Sequence, residues 1–146
     1  MNFEILENTY RNELIDKVIP FWLQNSLDNK YGGYFSCLDN KGKVYDTDKF
    51  IWLQCRQMWM FSFLYQHVDQ NSEYLKAADL GERFLKKFGH DGNYNWFFSV
   101  DRKGNPLIQP YNIFSNAFAA LAFGQYGLIK KDSSSKEIAK KTFSRI

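Results

Sequence analysis

The stretch DKFIWLQCRQMWMF, Asp48 to Phe61, holds the residues with the clearest chemical potential. It lacks Gly and Pro and is rich in helix formers, so it reads as a helix. At about 100° per residue, Lys49, Trp52, Leu53, Arg56, Met60 and Phe63 share one side. The other side, with Ile51, Cys55, Met58, Ser62 and Tyr65, is hardly more polar. A helix apolar nearly all round is normally buried. Arg56 in its middle therefore needs either a carboxylate partner or a water-filled space to face. Lys49, two turns earlier on the same side, is expected either to help hold an anion at a cavity mouth or to be a solvated helix start. Asn116, set among Phe and Ala in NIFSNAFAALAFGQY, needs a buried partner of its own.

Other chemistries find little support. His67 and His90 have no metal-ligand spacing to each other or to Cys37 and Cys55. GxSxG, P-loop and GxGxxG patterns are missing, so neither a metal nor a cofactor is expected. Two cysteines suit free thiols in a cytoplasmic protein, with Cys55 a small buried one. The net charge is only +3 and the basic residues are dispersed, which disfavours a nucleic-acid partner. The acidic, amphipathic start does not resemble a targeting peptide, and no apolar run is long enough to span a membrane.

The elements that position these residues repeat. GGYFSCLDNKGKVYD and YNWFFSVDRKGNPLI align with Asp39 on Asp101, a shift of 62. The same shift sets Gly42 on Gly104, Tyr34 on Trp96, Trp22 on Phe84 and Phe61 on Phe123. Each unit reads as helix, hairpin, helix. The first has a helix from about Ile5 to Asn25, with an apolar stripe of Leu14, Val18, Phe21 and Trp22 interrupted at Pro20. After its hairpin, Asp46–Thr47–Asp48 is expected to cap the second helix. The second unit runs a helix from Ser72, the expected N-cap, to Phe88, then a hairpin, then a helix from about Asn112 to Tyr126. Charged first helices and apolar second helices imply two layers, charged outside and apolar inside. The units span about 1–66 and 67–128, and 129–146 opens a third outer helix with a capping serine. The chain is expected to be part of a longer repeat array.

FWLQNSLDNKYGGYFSCLDNKGKVYDTDKFIWLQCRQMWMFS closely resembles the N-terminal part of N-acylglucosamine 2-epimerases, and more loosely the cellobiose 2-epimerases and aldose–ketose isomerases. The shared R-x-x-W-x-F-S is Arg56, Trp59, Phe61 and Ser62. The resemblance implies an all-α (α/α)6 barrel, a ring of alternating inner and outer helices around a sugar-binding cavity. At about 62 residues per unit a full ring needs roughly 370 residues. It also implies proton transfer at the carbon beside a sugar carbonyl. A base takes the C2 proton of the ring-opened sugar, and an acid returns one on the other face.

In that setting Arg56 is the expected catalytic residue, holding sugar oxygens and stabilising enediolate charge. Trp52, Trp59, Asn116 and Lys49 are the expected substrate-binding residues. The family's acid/base histidines belong to later inner helices, so the chain alone is expected to be inactive. The remaining alternatives are a non-catalytic helical-repeat module binding carbohydrate or protein, and another sugar isomerase or hydrolase on the same scaffold. An incomplete array is also expected to self-associate or to dock with a C-terminal portion.

Overall fold

The computed structural model describes residues 2–146. The chain opens with α1 (Phe3–Glu13), passes through a π-helical turn (Leu14–Val18) and continues as α2 (Ile19–Asn25). A hairpin, β1 (Cys37–Leu38) and β2 (Val44–Asp46), leads through β3 (Lys49–Phe50) into α3 (Ile51–His67). The second unit runs α4 (Ser72–Phe88), β4 (Ser99–Val100), β5 (Pro106–Ile108) and α5 (Phe114–Ile129), and α6 (Ser133–Phe143) follows. The two apolar helices α3 and α5 pack side by side, with α4 against α3 and α6 against α5.

Pro20 acts earlier than a kink at its own position would require. It has no N–H and its ring crowds the carbonyl four residues back. The helix absorbs this by widening, and the Ile19 N–H reaches back to the Leu14 carbonyl in a π-type bond. The extra residue rotates the helical face. Leu14 and Val18 are consequently exposed, Phe21 and Trp22 are half-buried, and Ile19 is the buried residue. The expected stripe is displaced for that reason.

Helix starts also differ from expectation. Asp48 to Phe50 are not helical, because Lys49 and Phe50 pair antiparallel with Val100 and Ser99 of the next unit. Asp46 accepts the Asp48 N–H in a turn rather than capping α3, whose Ile51 N–H goes to the Phe98 carbonyl. Asn71, not Ser72, caps α4, and Asp132, not a serine, caps α6. In both helices the amide or carboxylate oxygen one residue upstream takes the orphan N–H groups.

The shift of 62 carries into hydrogen bonding. Asp39 accepts the N–H groups of Lys41 and Lys43, and Asp101 those of Lys103 and Asn105. Gly42 and Gly104 close the two turns at φ of 84° and 99°, where a side chain would be strained. Gln54 accepts the Tyr34 N–H at 2.8 Å and donates to its carbonyl at 2.8 Å. Asn116, its counterpart, accepts the Trp96 N–H at 3.3 Å.

The units are joined by a buried ion cluster. Asp28 and Lys49 are both fully buried and pair at 3.0 Å. Arg102, from the second unit's turn, reaches the same carboxylate through Nε at 2.9 Å and Nη2 at 3.1 Å. The backbone N–H groups of Lys30 and Tyr31 complete five donors on Asp28. Lys49 Nζ also donates to the Gly32 and Arg102 carbonyls, so its three protons are all used. Burial pushes the Asp28 pKa up, but the Arg102 and Lys49 hydrogen bonds outweigh it and bring it down to about 2.

Two outcomes follow for stability. Asp28→Asn strands two cations and should cost about 3–5 kcal/mol in urea unfolding. Because the folded pKa is depressed, the Asp28 contribution is full above the ordinary carboxylate range and disappears as pH falls from about 4 towards about 2. Acid titration of the wild type should therefore lose about 2 kcal/mol in that window, and the variant should lack this loss.

Gly81→Ala gives the second. Alanine normally stabilises a helix relative to glycine, but a Cβ at Gly81 would sit 2.7 Å from Tyr34 Cζ. Tyr34 is fully buried and its hydroxyl is held by the Ala77 carbonyl at 2.8 Å. The substitution should destabilise by about 1–3 kcal/mol, read as a lower thermal midpoint.

Candidate functional site

Arg56 is exposed on α3, and among the described residues it has no carboxylate or hydrogen-bond partner. Its guanidinium carbon lies 5.3 Å from the centre of the Phe118 ring on α5. The cation thus faces solvent while its planar head rests on an aromatic face. This geometry settles how a charge sits in an otherwise buried helix: α3 turns most of its surface inward and leaves one stripe open.

Two hollows meet at Arg56. One of about 410 Å³ is lined by Trp52, Phe98, Tyr111, Asn112, Phe114 and Phe118. The other, of about 330 Å³, is lined by Trp22, Ser36, Leu53, Gln57, Trp59 and Met60. Both volumes lie in the range of small-molecule sites. Trp52 stands one helical turn before Arg56, its ring 6.0 Å from Phe118, and Trp59 stands just under a turn after it. Arg56, Trp52 and Trp59 are therefore together on one open face.

The other two expected site residues are elsewhere. Lys49 is neither at a cavity mouth nor solvated. It is a buried strand residue with all three donors engaged, so it has none to offer a ligand. Burial lowers its pKa, and Asp28 opposes that shift. Asn116 uses its carbonyl oxygen on the Trp96 backbone, which makes it a positioning residue for the hairpin.

Phe114 and Phe118 belong to the site but were not singled out from sequence. The signal was available: the shift of 62 carries Trp52 onto Phe114 and Arg56 onto Phe118. Tyr111 and Phe98 are brought in by the hairpin, with ring centres 4.9 Å apart.

The histidines and cysteines lie outside both hollows. His67 is exposed on the same stripe of α3 as Arg56, three turns further on, where it stacks on Phe63 at 4.4 Å. His90 packs between Tyr94 and Trp96, accepts the Gly92 N–H through Nδ1, and has its pKa lowered by burial. Burial drives the Cys55 thiol well up, so it is not a nucleophile. Among the described residues no His, Cys, Asp and Glu cluster could hold a metal ion, and no helix is long and apolar enough to cross a membrane.

Comparison with known proteins fits this architecture. The family profile of N-acylglucosamine 2-epimerase (GlcNAc 2-epimerase) matches residues 33–146. N-acylglucosamine 2-epimerase of Mus musculus is 37% identical over 115 residues, which cover 76% of this chain and 27% of that protein. Cellobiose 2-epimerase of Dictyoglomus turgidum is 30% identical over 142 residues, 95% of this chain and 36% of the relative. The solved cellobiose 2-epimerase of Bacillus thermoamylovorans superposes with a TM-score of 0.87 at 30% identity, covering 97% of this chain and 36% of its own. The chain thus spans about a quarter to a third of the length of these relatives. Its helices form part of an (α/α)6 barrel, and the chain belongs to the N-acylglucosamine 2-epimerase family.

Proposed function

We propose that this chain supplies one wall of a sugar site, in which Arg56 holds the substrate of a C2 epimerisation. The observation that carries the reading is an exposed arginine without an anion among the described residues, set between a hollow lined largely by aromatic residues and a second lined by Trp22, Trp59, Leu53 and Met60 with polar Ser36 and Gln57. Sugars present both hydroxyl oxygens and apolar C–H faces. Arg56 can donate to the oxygens, while Trp52, Phe118 and Trp59 cover C–H faces. When the C2 proton leaves, electron density moves onto the carbonyl oxygen, and a fixed guanidinium stabilises that charge. N-acylglucosamine/N-acylmannosamine pairs and cellobiose are the substrates the relatives' names suggest.

The same linings explain what this wall leaves undone. They carry no histidine, carboxylate or lysine. Besides Arg56, Tyr111 alone in them carries an ionisable proton, so no acid and base pair faces a substrate there. Proton removal and return therefore need groups outside these linings, and the 146-residue chain by itself binds without turnover. A hydrolase on the same scaffold is less well supported, because the turn carboxylates Asp39 and Asp101 are held by backbone N–H groups.

The test has two parts. Arg56→Ala should weaken binding of N-acetylglucosamine or cellobiose by about tenfold or more, as expected for a lost charge-assisted hydrogen bond. Its unfolding midpoint should match the wild type, since Arg56 is exposed. Equal sugar binding by both proteins would overturn the assignment. In heavy water, NMR should show no deuterium entering the C2 position with the wild-type chain. Incorporation, or conversion to the 2-epimer, would show that the acid and base are present after all.

A further inference from the structure

The loop before the second hairpin, residues 90–95, repeats the first unit's loop with one chemical change. In both, an aspartate accepts the N–H two residues on, Lys30 to Asp28 at 3.1 Å and Asn93 to Asp91 at 2.8 Å. The residue before each aspartate bridges to a buried aromatic, Leu27 to Tyr34 and His90 to Trp96, the second loop being one residue shorter. A half-buried leucine in one unit is thus a half-buried histidine in the other.

The histidine adds a bond that leucine cannot make. Its Nδ1 accepts the Gly92 N–H at 3.0 Å, so the ring is neutral with its proton on Nε2. The ring stacks on Tyr94 with centres 5.1 Å apart and stands edge-on to Trp96 at 4.9 Å. Tyr94 has a φ of 63°, which a bulky residue keeps only where its surroundings hold it. His90 holds it from one side, and Lys141 of α6 lies 5.5 Å from its ring centre. Beneath them, fully buried Trp96 ties the hairpin to two helices: its N–H goes to Asn116 of α5 and its Nε1 to Thr142 of α6.

Among the described residues, the charged groups around this ring are Asp91 in the loop, Lys141, and Arg145, which donates to Asn95 just beyond α6. Lys87 of α4 is turned onto Phe88, and α5 brings only the uncharged Asn116 and Phe123 to Trp96. Asp91 is already engaged by the N–H groups of Asn93 and Asn95 and by the Asn95 side chain. Burial lowers the His90 pKa from its ordinary 6.5, and Asp91 opposes that shift.

We propose that His90 is a proton-operated latch on the 90–95 loop. Neutral, it pins Gly92 and props Tyr94, and the loop closes over Trp96. Protonated, Nδ1 becomes a donor, the Gly92 N–H loses its acceptor, and the strained loop opens while the helices stay folded. Closure is complete above the ordinary value of 6.5 and is lost as pH falls through the lower value of the closed loop. The latch uses none of the residues that line the two hollows at Arg56, so it stands apart from the sugar-site reading.

Amide hydrogen exchange followed by NMR between about pH 8 and about pH 5, corrected for intrinsic rates, tests it. Protection of the Gly92 N–H should fall below pH 6.5, by at most about tenfold per pH unit. The Lys30 N–H, held by a carboxylate in the matching loop, should keep its protection. Ring nitrogen shifts of His90 should report the Nε2–H tautomer at the upper pH. His90→Asn, whose amide oxygen can accept the same N–H but cannot titrate, should abolish the pH dependence, with circular dichroism confirming the fold. Constant Gly92 protection in the wild type, a parallel fall at Lys30, an Nδ1–H tautomer, or an unchanged pH dependence in the variant would each overturn the proposal.

Discussion

Asp28 is the point on which the two units turn. It comes from the loop after α2, yet its carboxylate gathers a lysine that precedes α3 and an arginine from the next unit's hairpin. A buried carboxylate flanked by one cation would be a modest device, since the desolvation of both offsets much of their attraction. With five donors the balance changes, because each lone pair is occupied and the local field keeps the group ionised. Lys49 can reach this centre only as a strand residue, which is why β3 pairs with β4 before α3 begins. The ionic cluster, the strand register and the start of α3 are therefore one constraint.

That constraint sets the direction of Arg56. With Ile51 as the first residue of α3 and its N–H fixed to Phe98, the buried face is Gln54, Cys55, Met58 and Phe61. Arg56 then falls on the remaining open stripe, against α5. The second unit answers with Phe118 at the equivalent place, giving the cation an aromatic support instead of a carboxylate. A carboxylate there would neutralise the charge. An aromatic face holds the guanidinium while leaving its N–H edge free for a ligand.

Much of this was legible from sequence, for identifiable reasons. The shift of 62 rests on turn chemistry, Asp followed by Lys-Gly, which has few structural solutions, so the hairpins and layers could be read from it. Arg56, Trp52 and Trp59 were legible because helical spacing alone places them together. Lys49 was misplaced because its fate depends on Asp28 and Arg102, far off in the chain, and on a strand pairing between units that local propensity does not encode. Asn116 was open to two readings until its partner appeared, and that partner is a backbone N–H. Pro20 announced a break but not its form, since a π-turn and a kink satisfy the same missing donor.

The two amides that brace the inner helices differ by a methylene. Gln54 holds both the N–H and the carbonyl of Tyr34, whereas Asn116 holds only the N–H of Trp96, at a longer distance. A two-point attachment fixes rotation as well as separation, while a single bond acts as a pivot. The helix bearing the guanidinium is thus tied to its hairpin at two points and the helix bearing its aromatic support at one, with Tyr126 and Gln125 tethering the latter to Asp79 and Gln66 instead. Of the two hairpin attachments, the one beneath the guanidinium is therefore the more closely registered.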